Sequence, residues 1–250
     1  MPNTDVKYRL IKPEETLSDF VYCYSALQNV THIDEGIIIP NGKVDLIFSI
    51  TGSHQLSIRL LGLETRPKAV NIKVAAFFAV NFNPLAVEYV FQDSIADILN
   101  SGKELPNNFW GFTADDLNDF EAFCEKAAQK IQSLLPRNID ERKRRLFDLI
   151  SAANGEISVK ELSEKVHWSE RQINRYFNQQ FGLSLKAYCG ILRFQASLPY
   201  IKEGELYPQL NFTDQSHFIK EIKKLSGVSP KELYKNENDR FLQFLMYGKQ

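Results

Sequence analysis

Apolar positions fall at two different spacings along this chain, and the change comes at Pro84. Upstream, short apolar runs alternate with turn residues. Gly36-Ile-Ile-Ile39 leads into Pro40-Asn-Gly42, and Val44-Asp-Leu-Ile-Phe-Ser-Ile50 leads into Thr51-Gly-Ser53. Gln55 to Leu61 alternates at period two, and Val70 to Phe82 is a long β-rich run stopped by Pro84. These segments predict strands of an antiparallel or mixed sheet. Beyond Pro84 the spacing turns helical, first over Leu85 to Phe91 and Ile95 to Leu99. Thr113-Ala-Asp-Asp116 predicts the start of a longer helix, with Leu117, Phe120, Phe123, Cys124 and Ala127 on one side and an end near Leu135-Pro136. Pro136-Arg-Asn138 is the predicted boundary. Residues 1–136 then form a β-rich α+β domain, and residues 137–250 an all-α domain.

The helical half opens with a segment that turns Leu146, Leu149 and Ile150 inward, leaves Arg142 to Arg145 outside, and stops at Asn154-Gly155. Ser158 to Val166 is the next helical pattern. It has its own Ser158/Glu161 capping pair, and Val159, Leu162 and Val166 line its inner face. After a short turn, His167-Trp168, comes Ser169-Glu-Arg-Gln-Ile-Asn-Arg-Tyr-Phe177. Ser169 caps the first turn with Gln172 three residues on, Ile173 and Phe177 share the buried face, and Gly182 suits the position after the last turn. Arg171, Asn174, Arg175 and Asn178 project from the other sides. Arginine and asparagine are side chains that bond guanine and adenine edges in pairs. Helix, short turn, helix is the helix-turn-helix outline.

The downstream blocks sharpen that outline. Phe181-Gly-Leu-Ser-Leu-Lys-Ala-Tyr188, Arg193-Phe-Gln-Ala196, Asn211-Phe-Thr-Asp-Gln-Ser-His-Phe218 and Gly227-Val-Ser-Pro230 follow in order. Together with the first unit they resemble the C-terminal domain of AraC/XylS-type transcription regulators over roughly residues 139–236. That resemblance implies two helix-turn-helix units joined by a linking helix, here Leu185 to about Leu198, with Tyr188, Leu192 and Gln195 on one face. It implies double-stranded DNA as partner. Arg171 and Arg175 are the strongest base-reading residues, with Gln172 and Asn174 beside them and Asn178 farther along toward phosphate or water. In the second unit, Asp214 or Thr213 caps a helix running to about Leu225, whose outer face is Gln215, Ser216, His217 and Lys220. Gln215 suits adenine, and Lys220 suits phosphate or guanine. Ser229-Pro-Lys-Glu232 starts a closing helix with a cap, Pro at its first position and Glu at its third. Arg193 matches the family's Arg-Phe pair and reads as a structural ion-pair partner. The second unit departs from the family. Gly204-Glu-Leu-Tyr-Pro-Gln-Leu-Asn-Phe212 is about one helical turn short, Pro208 disturbs any helix there, and Asn211 replaces the usual glycine. The run Pro40 to Phe48, with Phe82-Asn-Pro84, also resembles the sensor-like N-terminal domains that precede some such regulators.

Composition changes this picture little. The chain has 250 residues, 44% of them hydrophobic, and a formal net charge of −1. Residues 1–138 hold 12 Lys and Arg against 17 Asp and Glu, and residues 139–250 hold 18 against 14. The acidic half and the basic half fit a DNA-contacting module beside one that does not touch DNA, or chance variation. Cys23, Cys124 and Cys189 are three in number and form no close pair, which argues against a disulfide framework. His32, His54, His167 and His217 are scattered, without metal-ligand spacing, and no nucleophile motif, phosphate-binding loop or dinucleotide fingerprint appears. We therefore expect no catalytic residues, metal or cofactor, and a cytoplasmic protein, since no signal peptide or long apolar run is present. A small-molecule effector, RNA polymerase and a second copy of the chain are open as partners. Tyr22, Tyr24, Phe48, Phe78 and Trp110 serve core packing or an effector pocket equally well. The rival expectation is a degenerate relative that has lost DNA binding and works as a protein-interaction module.

Overall fold

A computed structural model describes residues 7–28, 36–50, 55–70, 76–210, 212–236 and 241. Among the described residues eight strands come first: β1 (Lys7–Ile11), β2 (Val21–Gln28), β3 (Gly36–Ile38), β4 (Val44–Ile50), β5 (Leu56–Leu61), β6 (Lys68–Val70), β7 (Ala76–Phe82) and β8 (Gly102–Leu105). Six of them form one antiparallel sheet in the order β1-β2-β7-β4-β5-β8, and β3 pairs with β6 apart from it. The expected continuous run from Val70 to Phe82 is therefore divided between two sheets. Its ends are β6 and β7, and residues 71–75 between them lie outside the described residues.

Period-two alternation gives the main sheet two distinct faces. Val44, Leu46 and Phe48 of β4 point with Phe78 and Val80 of β7 into a core. That core is closed by the helix α1 (Phe120–Leu134). Phe48 meets Phe112 at 4.7 Å and Phe123 at 5.1 Å between ring centroids, and Phe78 meets Phe120 at 5.1 Å. Asp45 and Ile47 alternate onto the opposite face, beside Asn81 and Ala79. The Thr113/Asp116 capping box is present, but it starts only a 3-10 turn over Ala114–Leu117. The long helix begins afresh after Asp119, whose carboxylate accepts from Ala122 N. Leu85 to Phe91 does coil, as a π-turn over Val87–Phe91 that Gln92 ends in the left-handed region.

The helical half contains α2 (Glu141–Ala152), α3 (Val159–Val166), α4 (Glu170–Phe181), α5 (Leu185–Lys202), α6 (Gln215–Ser226) and α7 (Pro230–Lys235). α5 continues one turn past Pro199, because Leu198 and Ile201 are both buried and hold the turn in place. The short stretch where Pro208 was expected to disturb any helix forms none among the described residues. Among the described residues, nothing between Lys202 and Asp214 is helical. Asn211 itself lies outside the described residues. Leu206 and Phe212 are partly buried against the core instead, and Phe212 packs on Phe218 at 5.1 Å.

Candidate nucleic-acid interface and an adjoining cavity

α3 and α4 meet at His167, which takes the left-handed conformation (φ 53°) that lets the chain reverse between them. α4 is fixed at both ends. At its start Ser169 N donates to Gln172 Oε1 at 3.0 Å, and Gln172 N donates to Ser169 Oγ at 3.3 Å. Along its inner face Ile173, Phe177 and Phe181 are fully buried, with Phe177 against Phe147 (5.7 Å) and Tyr188 (5.5 Å). At its end the last carbonyls of a helix have no partner within the helix. Here the N-terminal half supplies them. Ser94 Oγ donates to Gln179 O at 2.7 Å, and Ile95 N donates to Gln180 O at 3.0 Å. Gly182 follows at φ 74°, where a Cβ would lie 2.8 Å from Ala96 O. Glu88, on the π-turn, pairs with Lys143 of α2 and accepts from Tyr176 Oη at 3.2 Å. Burial, then the Glu88 carboxylate, holds the Tyr176 hydroxyl well above the usual tyrosine range.

Arg171 and Arg175 are exposed one turn apart on the outer side of this anchored helix. Gln172 is exposed too, but its carbonyl oxygen is occupied by the cap. Asn174 is half-buried and donates to Glu170 O at 3.0 Å, and Asn178 is exposed and donates to Asn174 O at 2.8 Å. In the second unit Ser216 and Lys220 are exposed. Gln215 is not on the outer face. It turns inward and donates to Leu206 O at 3.0 Å, while its Oε1 is buried without a hydrogen-bond partner among the described residues. His217 is half-buried and accepts from Thr213 N at 3.3 Å. The coil at Leu206 leaves within reach of Gln215 a carbonyl that a helix would have used. Lys143 and Arg144, expected outside, are drawn into ion pairs with Glu88 and Asp19. Arg193, expected in an ion pair, lies instead over the ring of Phe212 at 6.0 Å, and its Nε is buried without a hydrogen-bond partner among the described residues.

The second face of the sheet and the helices α2 and α5 enclose a cavity of about 320 Å³. One wall carries Tyr22, Cys23, Ser25, Lys43, Asp45 and Asn81, and the opposite wall Ser151, Asn154, Leu192 and Gln195. Toward the other end the sheet wall becomes apolar, with Leu27, Ile47 and Phe77. Asn81 organises the polar end. It donates to Asp45 Oδ1 at 2.7 Å and accepts from Ser25 Oγ at 2.8 Å and Cys23 Sγ at 3.3 Å. Lys43 donates to Asn83 Oδ1 at 2.8 Å and lies 4.4 Å from the Tyr22 ring centroid. Burial pushes the Asp45 carboxyl above its ordinary range, against the hydrogen bonds from Asn81 and Asn41. It pushes the Cys23 thiol up to about 12, which makes that thiol a poor nucleophile. The sequence offered little sign of this site. Its polar residues come from separate strands, and each looks like an ordinary outward position of its own strand. Among the described residues no cluster of three or more His, Cys, Asp or Glu could hold a metal. His32 and His54 lie outside them. No helix is long and apolar enough to cross a membrane among the described residues.

Burial lowers the Lys43 ammonium to about 8 from 10.5. The unfolded chain therefore keeps this proton to higher pH than the folded one, so raising the pH from 8 toward 10.5 removes a penalty carried by the folded state. Lys43→Met abolishes that dependence. Wild type should gain about 1–3 kcal/mol relative to Lys43→Met between pH 7 and pH 10, discounted for the water the cavity admits. Urea unfolding of both proteins at the two pH values measures it, and parallel behaviour would refute the assignment.

Residues 9–103 match the family model described as "Domain of unknown function (DUF6597)", and residues 162–236 match the model described as "Helix-turn-helix domain". Comparison with curated proteins gives no match. Among solved structures the chain is similar to apo ToxT K231A from Vibrio cholerae strain SCE256, at 13% identity and a TM-score of 0.42, covering 92% of this chain and 96% of that one. ToxT from Vibrio cholerae O395 gives 9% and 0.42, covering 94% and 98%. Unsaturated fatty acid bound wild-type ToxT from strain SCE256 gives 12% and 0.41, covering 92% and 94%. Overlap this low transfers neither a ligand nor a residue's role. The family match falls on the segment whose capped, anchored α4 holds two arginines outward, and the C-terminal part of this chain is an AraC-type helix-turn-helix domain, the DNA-binding domain of transcription regulators, carried behind a β-rich N-terminal part.

Proposed function

We propose that the chain is a sequence-specific regulator that binds double-stranded DNA through residues 137–250 and responds to an effector through residues 1–136. The observation that carries this reading is the Arg171/Arg175 pair, exposed on the N-terminal half of a helix whose other sides are fixed by a cap and a buried aromatic face. A helix in the major groove offers base edges the side chains of that half. The planar guanidinium fork matches guanine O6 and N7. Asn174 keeps its carbonyl oxygen for a neighbouring base, while Gln172 serves the cap first and Asn178 faces the backbone. Binding should weaken steeply with salt as counterions are released from the phosphates. In a mobility-shift titration against a selected site, Arg175→Ala should cost about 1–3 kcal/mol with an unchanged melting temperature. An unaltered shift would remove Arg175 from the reading set.

The effector site in this reading is the cavity between the sheet and α2 and α5. Its polar end at Lys43, Asp45 and Asn81 and its apolar end at Ile47 and Phe77 suit a small amphipathic molecule. Such a ligand touches the sheet and the DNA-binding half together, so its binding would bias how the two sit against each other. Thermal-shift screening of wild type beside Asn81→Leu separates ligands of this cavity from surface binders. A ligand that stabilises both proteins equally binds elsewhere.

A further inference from the structure

Two helices of equal length stand where reading helices belong, and their outer faces differ in kind. α4 and α6 each run 12 residues, from the caps Ser169 and Asp214 to Gly182 and Gly227. Matched on those caps, Arg171 corresponds to Ser216, Asn174 to Ile219 and Arg175 to Lys220. Farther along, Asn178 corresponds to Lys223 and Gln179 to Lys224. The forked and amide groups of α4 are thus replaced on α6 by a hydroxyl, an exposed isoleucine and a row of three exposed lysines. An ammonium is a compact point charge without the planar fork that matches guanine. The amide nearest the start of α6, Gln215, is turned into the protein and bonded to Leu206 O. The Asp214 carboxylate at the helix start repels phosphate there and leaves the lysine row, whose Lys224 also pairs with Glu221 at 3.5 Å, as the attractive feature.

Resting on the DNA-binding reading above, we infer that the two units divide the work. α4 reads base edges, and α6 grips the phosphate backbone without reading sequence. Phosphate contacts fix position and register, and base contacts fix sequence. The chain then specifies a single major-groove segment and holds the next one by charge alone. Among the described residues no helix precedes α6 between Lys202 and Asp214, which is consistent with this division, since a backbone grip needs less exact placement of its helix than base reading does.

The test is selection of bound duplexes from a randomised pool, with hydroxyl-radical footprinting of the winners and the number of chains bound read on native gels. We expect one constrained segment per bound chain, beside a protected segment about one helical turn away that carries no sequence preference. The triple variant Lys220→Ala/Lys223→Ala/Lys224→Ala should weaken all duplexes by the same factor. It should also flatten the salt dependence by roughly one unit of log–log slope for each lysine that no longer meets a phosphate. It should leave the selected sequence unchanged. Arg175→Ala should relax the constrained segment, with a loss of roughly tenfold or more at one base pair. Two dissimilar constrained segments for one chain, or a selected sequence altered by Lys220→Ala, would overturn the division while leaving DNA binding intact. A pool that never converges, at low or moderate salt, would overturn the DNA-binding reading itself and this inference with it. All the substituted lysines are exposed, and an unchanged melting curve confirms that each variant is folded.

Discussion

Gly155→Ala should lower stability by about 2–6 kcal/mol, the largest single-residue effect we expect from this chain. Gly155 ends α2 at φ 73°, with its N–H donating to Ile150 O at 2.9 Å, and an alanine in that conformation is strained by about 1–3 kcal/mol. Its Cβ would also sit well inside van der Waals distance of the Cys189 carbonyl on α5, which is backbone and cannot swing away. Overpacking of that kind costs typically about 1–3 kcal/mol more. For a chain of this size the sum is a drop of roughly 5–20 °C in melting temperature. Calorimetry on the two proteins measures it, and a drop below about 2 °C would show that α2 and α5 do not lie this close. Because α5 also carries Tyr188 and Gln195, which donate to Gly42 O and Pro40 O, the same substitution should loosen the helical half from the sheet.

Phe177→Ala should cost about 3–5 kcal/mol and abolish DNA binding together with the fold of the first unit. Phe177 is fully buried and meets the rings of Phe147, Tyr176, Phe181 and Tyr188. Removing it opens a cavity at the point where α2, α4 and α5 converge. Arg175→Ala should weaken DNA binding as well, by about 1–3 kcal/mol, but only Phe177→Ala should lose stability in step. Partial rescue on cooling is therefore expected for Phe177→Ala and not for Arg175→Ala. A Phe177→Ala protein that melts like wild type would mean that α4 is held by its cap and its carbonyl contacts alone.

Local chemistry carried much of this molecule. Ser158, Ser169 and Ser229 each cap the helix that follows them, and Gly182 and Gly227 end α4 and α6, because a cap needs only a short polar side chain and a few neighbours in sequence. The turn of α4 that buries Ile173 and Phe177 and leaves Arg171 and Arg175 outside follows from helical spacing alone. The shortened stretch after Gly204 was visible as well, since Pro208 and a missing turn of residues leave no length for a helix. The tertiary structure decided what depends on residues distant in the chain. Ser94 and Ile95 finish the last turn of α4 from far upstream in the sequence, and Glu88 draws in Lys143 and Tyr176. Asn81 and Asp45 come together only because β4 pairs with β7, a register that no local pattern encodes. Gln215 looked outward by its place on the helix, and turned inward because the coil before it left the Leu206 carbonyl within reach. Helix spacing and capping are set within about four residues, so the sequence alone determined which side of α4 faces out. What holds the end of that helix, and what lines the cavity beside it, is set by pairings across the whole chain, and only the folded structure decided those.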